Sequence, residues 1–150
     1  MSLEQEVMSQ MKDAMKAKDE GLLRGLRAIK AEIIKAKTEP GANGEVTAEG
    51  ELKLLQKLVK QRKDSLEIFQ QQNRADLATK ESEEIAVIEK FLPKQMDEAE
   101  LKAAIAAIIA STGAAGPQDM GKVMGVASKQ LAGKADGKAI AAAVKEGLAK

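Results

Sequence analysis

Glu84-Ile85-Ala86-Val87-Ile88-Glu89-Lys90-Phe91-Leu92-Pro93-Lys94-Gln95 divides this chain. Ile85, Ile88 and Leu92 recur at three- and four-residue spacing, the period of a helix with one buried face. Pro93 disfavours helical geometry in the residue before it, so a helix ends here and a second unit begins. The expected architecture is all-α: an N-terminal bundle of about four helices over 1–93, joined to a small C-terminal three-helix bundle over 94–150.

Working back from this break, Leu3, Val7, Met11 and Met15 recur every four residues and predict a first helix ending near Lys18. Asp19 is placed to cap a second, with Leu22, Leu26, Ile29 and Ile33 on one face. The stretch Glu39-Pro40-Gly41-Ala42-Asn43-Gly44 breaks the chain. Thr47 is placed to cap a long third helix whose seam runs Leu52, Leu55, Val59, Leu66 and Phe69, with Arg62 in the same line. Asp76 can start the fourth. Beyond Pro93, Asp97 and Glu100 form a capping-box-like pair ahead of Leu101, Ile105 and Ile108. Gly113 stands where a C-cap glycine belongs. Two shorter helices follow, near 118–131 and 136–148, separated by Gly133.

Composition narrows the chemistry. The 150 residues are 44% hydrophobic and 31% charged, with net charge +1. There is no cysteine, which excludes disulfides, zinc thiolate sites and thiol catalysis, and no histidine, the commonest general base and metal ligand. Phe69 and Phe91 are the whole aromatic complement, too little for a base-stacking platform. No nucleophile elbow, Walker loop or Rossmann glycine fingerprint is present. Neither a catalytic residue nor a cofactor nor a metal site is expected. The cluster Glu81, Glu83 and Glu84 reads as a solvated helix face, and Arg62 as an arginine paired with a nearby carboxylate. The acidic start and the short apolar run 103–110 predict neither a signal peptide nor a membrane span, hence a cytoplasmic protein.

Charge is uneven along the chain. Residues 1–92 carry 16 basic and 17 acidic side chains; residues 93–150 carry 8 basic and 6 acidic. In Gly116-Pro117-Gln118-Asp119-Met120-Gly121-Lys122-Val123-Met124-Gly125 and Gly133-Lys134-Ala135-Asp136-Gly137-Lys138, each of two helix starts carries glycine and lysine. Free N–H groups, the positive dipole end and a lysine make each start a plausible phosphate seat. Lys122 and Lys138 oppose the local dipole, which asks for an anionic partner or for solvent. Gly121 and Gly125 suit close helix packing or the approach of a ligand backbone. Asp136 is assigned to N-capping. The candidate nucleic-acid-binding residues are therefore Gly121, Lys122, Gly125, Lys129, Lys134 and Lys138.

These glycine–lysine stretches, together with Val59-Lys60-Gln61-Arg62-Lys63-Asp64-Ser65, Arg74-Ala75-Asp76-Leu77 and the stretch ending Leu92-Pro93-Lys94-Gln95, resemble the GatB/YqeY family, in order and over nearly the whole chain. The likeness is to its stand-alone YqeY-like members, and it implies a bacterial, cytoplasmic protein. In that family the module is the tail of the B subunit of a tRNA-dependent amidotransferase, a carbon–nitrogen ligase with glutamine as amide donor. The tail holds tRNA while the chemistry lies in other domains. The resemblance thus implies a non-catalytic tRNA-binding module without cofactor. The alternative is a protein-interaction module docking on an amidotransferase, an aminoacyl-tRNA synthetase or another translation component through methionine-bearing faces (Met11, Met15, Met120, Met124).

Overall fold

The computed structural model describes residues 2–149. Among them are seven α-helices, one 3-10 turn and no strand. The helices are α1 (Leu3–Ala17), α2 (Glu20–Lys37), α3 (Ala48–Gln71), α4 (Ala75–Glu89), α5 (Glu98–Thr112), α6 (Met120–Gln130) and α7 (Gly137–Leu148). The chain divides into two compact units on either side of the Leu92–Pro93 bond, α1–α4 before it and α5–α7 after it.

Short polar side chains start most of these helices. Ser2 and Gln5 close a reciprocal capping box, the Ser2 hydroxyl accepting from the Gln5 N–H at 3.2 Å. The Asp19 carboxylate accepts from the Leu22 N–H at 3.1 Å, and the Thr47 hydroxyl from the Gly50 N–H at 3.0 Å. Each satisfies an amide that the helix itself leaves unpaired. Helix α4 differs from expectation: Arg74 stands at its N-cap without a side-chain cap, and Asp76 lies in the first turn, ion-paired to Arg74 at 3.0 Å. The Arg74 guanidinium holds the Asp76 carboxyl below its usual range. The helix also ends at Glu89, and two turn bonds (Phe91 N–H to Ile88 O, Leu92 N–H to Glu89 O) carry the chain to Pro93.

In the first unit α2 packs on each of the other three helices, and α3 pairs with α4. Its core is aliphatic, with Val7, Leu26, Ile29, Leu55 and Ile88 almost wholly buried. Two seams differ from the simple periodic reading. A stride of four advances about 40° per step around a helix, so by Met15 the face has turned about 120° away from Leu3. Met15 is accordingly 54% exposed, and Ala14 takes the buried place. In α3 the core takes Leu54, Leu55, Leu58 and Val59; Leu66 is only partly covered and Ile68 is 51% exposed. Helices α2 and α4 approach closely at Gly25, where a Cβ would stand 2.7 Å from Val87 Cβ and Cγ1.

The second unit is a three-helix bundle. Leu101, Ile105 and Ile108 of α5 meet Val123 and Ala127 of α6 and Ile140, Val144 and Leu148 of α7. Asp97 caps α5 by accepting from the Glu100 N–H at 2.8 Å, and Gly113 ends it at φ +68°, a left-handed geometry that glycine adopts without strain. A 3-10 turn, Pro117–Asp119, runs straight into α6.

The Gly25 contact generates a test. Gly25→Ala should destabilise the protein by about 1–3 kcal/mol, because the added methyl meets a β-branched side chain that cannot swing aside. Gly147→Ala should cost less, since its Cβ would meet Ile109 Cδ1, the flexible end of a side chain. Urea unfolding of the two variants measures the difference.

Candidate nucleic-acid interface

Helix α6 buries Val123 and Ala127 and packs Met120 and Met124 partly against the core. At about 100° per residue, Lys122, Gly125 and Lys129 fall on the face opposite that core, flanked by Gly121 and Ser128. All five are exposed. Helix α7 buries Ile140, Val144 and Leu148. Its Gly147 edge lies against Ile109 of α5. Lys138 stands about 160° around the helix from the Ala143–Gly147 edge, with Lys145 seven residues on and about 20° off the same line. Between the helices the burial alternates: Gly133 and Ala135 are buried, Lys134 and Asp136 exposed. The alternation turns Lys134 outward.

These lysines are set apart by what surrounds them. Helix α6 contains no acidic residue. In the loop and α7 there are two, and both are engaged: Asp136 caps α7 by accepting from the Lys138 N–H at 2.8 Å, and Glu146 lies 3.7 Å from Lys102. Among the described residues no ion pair reaches Lys122, Lys129, Lys134, Lys138 or Lys145. Lys145 belongs with the four lysines picked out in the sequence; its seven-residue spacing from Lys138 is the signal that identifies it.

Two readings of the sequence change. The start of α7 is not an open phosphate seat, because the Asp136 carboxylate already takes the Lys138 N–H and would repel a second anion. The start of α6 is not an open one either: the 3-10 turn feeds into it, Met120 N–H bonding to Pro117 O, while the Asp119 carboxylate turns back to the Ala115 N–H at 2.8 Å. Attraction for an anion rests on lysine side chains, not on helix ends. The packing role open to Gly121 and Gly125 is also unfilled, since a Cβ at either would meet nothing within 4 Å. Exposed helix-interior glycines cost roughly 0.5–1 kcal/mol each relative to alanine, and nothing they pack against within the chain offsets that.

The acidic cluster of the first unit is structural rather than a solvated face. Glu84 of α4 reaches Arg62 of α3 at 3.2 Å and Arg24 of α2 at 3.9 Å, and Glu83 pairs with Arg24 at 2.6 Å. Arg62 and Glu84 are each only 18% exposed, so the ion pair expected for Arg62 is present and partly desolvated. Other cations of this unit are paired too, Lys37 with Glu4 at 2.7 Å and Lys63 with Glu89 at 3.5 Å. No group of three or more acidic, histidine or cysteine side chains suited to a metal occurs among the described residues. Nor is any single helix among them long and apolar enough to cross a membrane.

The geometry defines a two-part, all-helical protein whose second part carries exposed lysines without ion pairs on α6, on the loop after it and on α7. The chain belongs to the YqeY-like family ("Yqey-like protein"), whose pattern it matches over residues 4–148. It is also similar to "Altered inheritance of mitochondria protein 41, mitochondrial" of Clavispora lusitaniae, with 41% identity over 91 residues. That match covers 59% of this chain and 52% of the yeast protein, so the shared region spans about half of that relative's length.

Glu81 gives a pH test of the acidic cluster. Burial, reinforced by the nearby Glu84 charge, raises its carboxyl above the ordinary value of 4.5. The folded state therefore holds this proton more tightly than the unfolded chain. What Glu81 contributes to stability is greatest below 4.5 and is lost as pH rises through the folded value. Glu81→Gln should melt above wild type at pH 7, with the gap closing as pH falls below the ordinary glutamate range. Thermal melts across that range measure it.

Proposed function

We propose that this protein is a non-catalytic tRNA-binding module whose C-terminal unit holds RNA phosphates, in association with tRNA-dependent amide transfer. Any carbon–nitrogen ligase chemistry with glutamine would belong to a partner enzyme, and a cytoplasmic setting is part of the proposal. One observation carries it: the exposed lysines Lys122, Lys129, Lys134, Lys138 and Lys145, gathered within 24 residues of one small unit, meet no carboxylate in an ion pair among the described residues. Exposed cations without ion-pair partners attract polyphosphate and release its counterions on contact. The glycines fit the same reading. At Gly121 and Gly125 the helix surface is bare backbone, so a sugar–phosphate strand can come closer there than any side chain would allow. With two phenylalanines in the whole chain, recognition would rest on shape and phosphate rather than base stacking.

A second reading, docking on an amidotransferase, an aminoacyl-tRNA synthetase or another translation component, is favoured by the exposure of Met8 (42%), Met15 (54%), Ile34 (50%) and Ile68 (51%) in the first unit. Affinity capture that recovers no specific partner would count against it.

Fluorescence anisotropy with bulk tRNA across a salt series tests the first reading. The triple variant Lys122→Ala, Lys134→Ala, Lys138→Ala should weaken binding at least tenfold and lower the salt slope by about 2–3, the share of three phosphate contacts. Wild-type protein that binds no tRNA at low ionic strength overturns it. Replacing both Gly121 and Gly125 by alanine separates function from folding. The double variant should be more stable by roughly 1–2 kcal/mol, yet bind tRNA less tightly, because the methyls gain helix propensity and obstruct the strand.

A further inference from the structure

The segment 93–97 lies against the loop between α6 and α7 and is bonded to it twice. The Gln95 side-chain amide donates to Gly133 O at 2.6 Å, and the Met96 N–H donates to Lys134 O at 2.9 Å. The second proton of the Gln95 amide goes to Pro93 O at 2.8 Å, so both of its donors are spent. Glutamine suits this post. A neutral side chain with two donors must reach two carbonyl oxygens at once; glutamate offers only acceptors, and asparagine is one methylene shorter. The loop needs the support. Gly133 is buried at φ +76°, and the Lys134 N–H turns back to Leu131 O at 2.9 Å. Gly133 and Ala135 thereby face inward while Lys134 faces out, three residues before the Asp136-capped start of α7 brings in Gly137 and Lys138.

We propose that Gln95 is a positioning residue for the cationic face: it locks the Gly133–Asp136 loop in the one shape that projects Lys134 toward a bound phosphate. The proposal rests on the tRNA-binding reading above and adds to it a residue that touches no RNA. It also gives the Leu92-Pro93-Lys94-Gln95 junction a function in the second unit. Pro93, after the turns that follow α4, contributes a carbonyl, and Gln95 joins that carbonyl to the loop.

The test uses the full-length chain and bulk tRNA with wild type, Lys134→Ala, Gln95→Glu, Gln95→Met and the double variant Gln95→Met/Lys134→Ala. Gln95→Glu sets a carboxylate against two carbonyl oxygens; Gln95→Met keeps the side-chain volume without donors, and serves if the charged variant does not fold. In unliganded protein, amide exchange at Lys134 and Met96 should quicken about tenfold or more in Gln95→Met, with α5 and α6 amides unchanged. Binding should weaken about 3–10-fold, as expected for loss of one to two hydrogen bonds. The salt slope should fall by about 1, matching Lys134→Ala, and the double variant should fall no further. Tight binding by Gln95→Met alongside weakened Lys134→Ala overturns the role of Gln95 and leaves the tRNA reading standing. Additive losses in the double variant, or exchange quickened throughout the second unit, also overturn it, since Gln95 would then be supporting the bundle at large. Absence of wild-type binding overturns both.

Discussion

Glu84 is the residue on which the arrangement of the first unit turns. One carboxylate on α4 faces an arginine from α2 and another from α3, with both the Arg62 and Glu84 side chains largely withdrawn from water. A charge in that position is tolerated only while its partners stay, because the cost of desolvating it is offset by their attraction and hydrogen bonds. The surrounding core is aliphatic and would accept more than one packing of similar helices. The charge network joins α2, α3 and α4, and Gly25 packs tightly on Val87 between two of them.

The second unit is organised differently. Its carboxylates are drawn into caps and ion pairs with residues other than the α6–α7 lysines: Asp97 caps α5, Asp119 turns back to the chain before α6, Asp136 caps α7, and Glu98 and Glu146 hold Lys102. The capping carboxylates keep their charge, but none of them forms an ion pair with a lysine of α6 or α7. The net charge of +1 for the whole chain is made of −1 over residues 1–92 and +2 over residues 93–150.

Much of the fold could be read along the chain. Ser2 is an exception: nothing in the amphipathic reading of α1 drew attention to the box it forms with Gln5. Asp19, Thr47, Asp97, Gly113 and Asp136 signal their helix ends through local hydrogen-bond chemistry, and each occupies the expected position. The α3 seam was less legible. Leu52, Leu54, Leu55 and Leu58 allow more than one apolar stripe on a helix, and only the neighbours α2 and α4 decide which is covered. In the candidate site, Lys122, Lys129, Lys134 and Lys138 were legible as unbalanced charges. Lys145 was legible only through its seven-residue spacing from Lys138, and Gln95 was not, since its role depends on a contact 38 residues away in sequence.

The sequence by itself determined that this protein is helical, that Pro93 separates two units, that thiol and imidazole chemistry are absent, and that positive charge gathers near the C-terminal end. These follow from local propensity, capping, proline geometry and composition, none of which needs a distant partner. The tertiary structure alone decided which charges are cancelled and which remain free. It also decided that Gly121 and Gly125 face open space and that Gln95 bonds to Gly133. Those outcomes depend on which side chains converge from separate helices, and only packing brings them together.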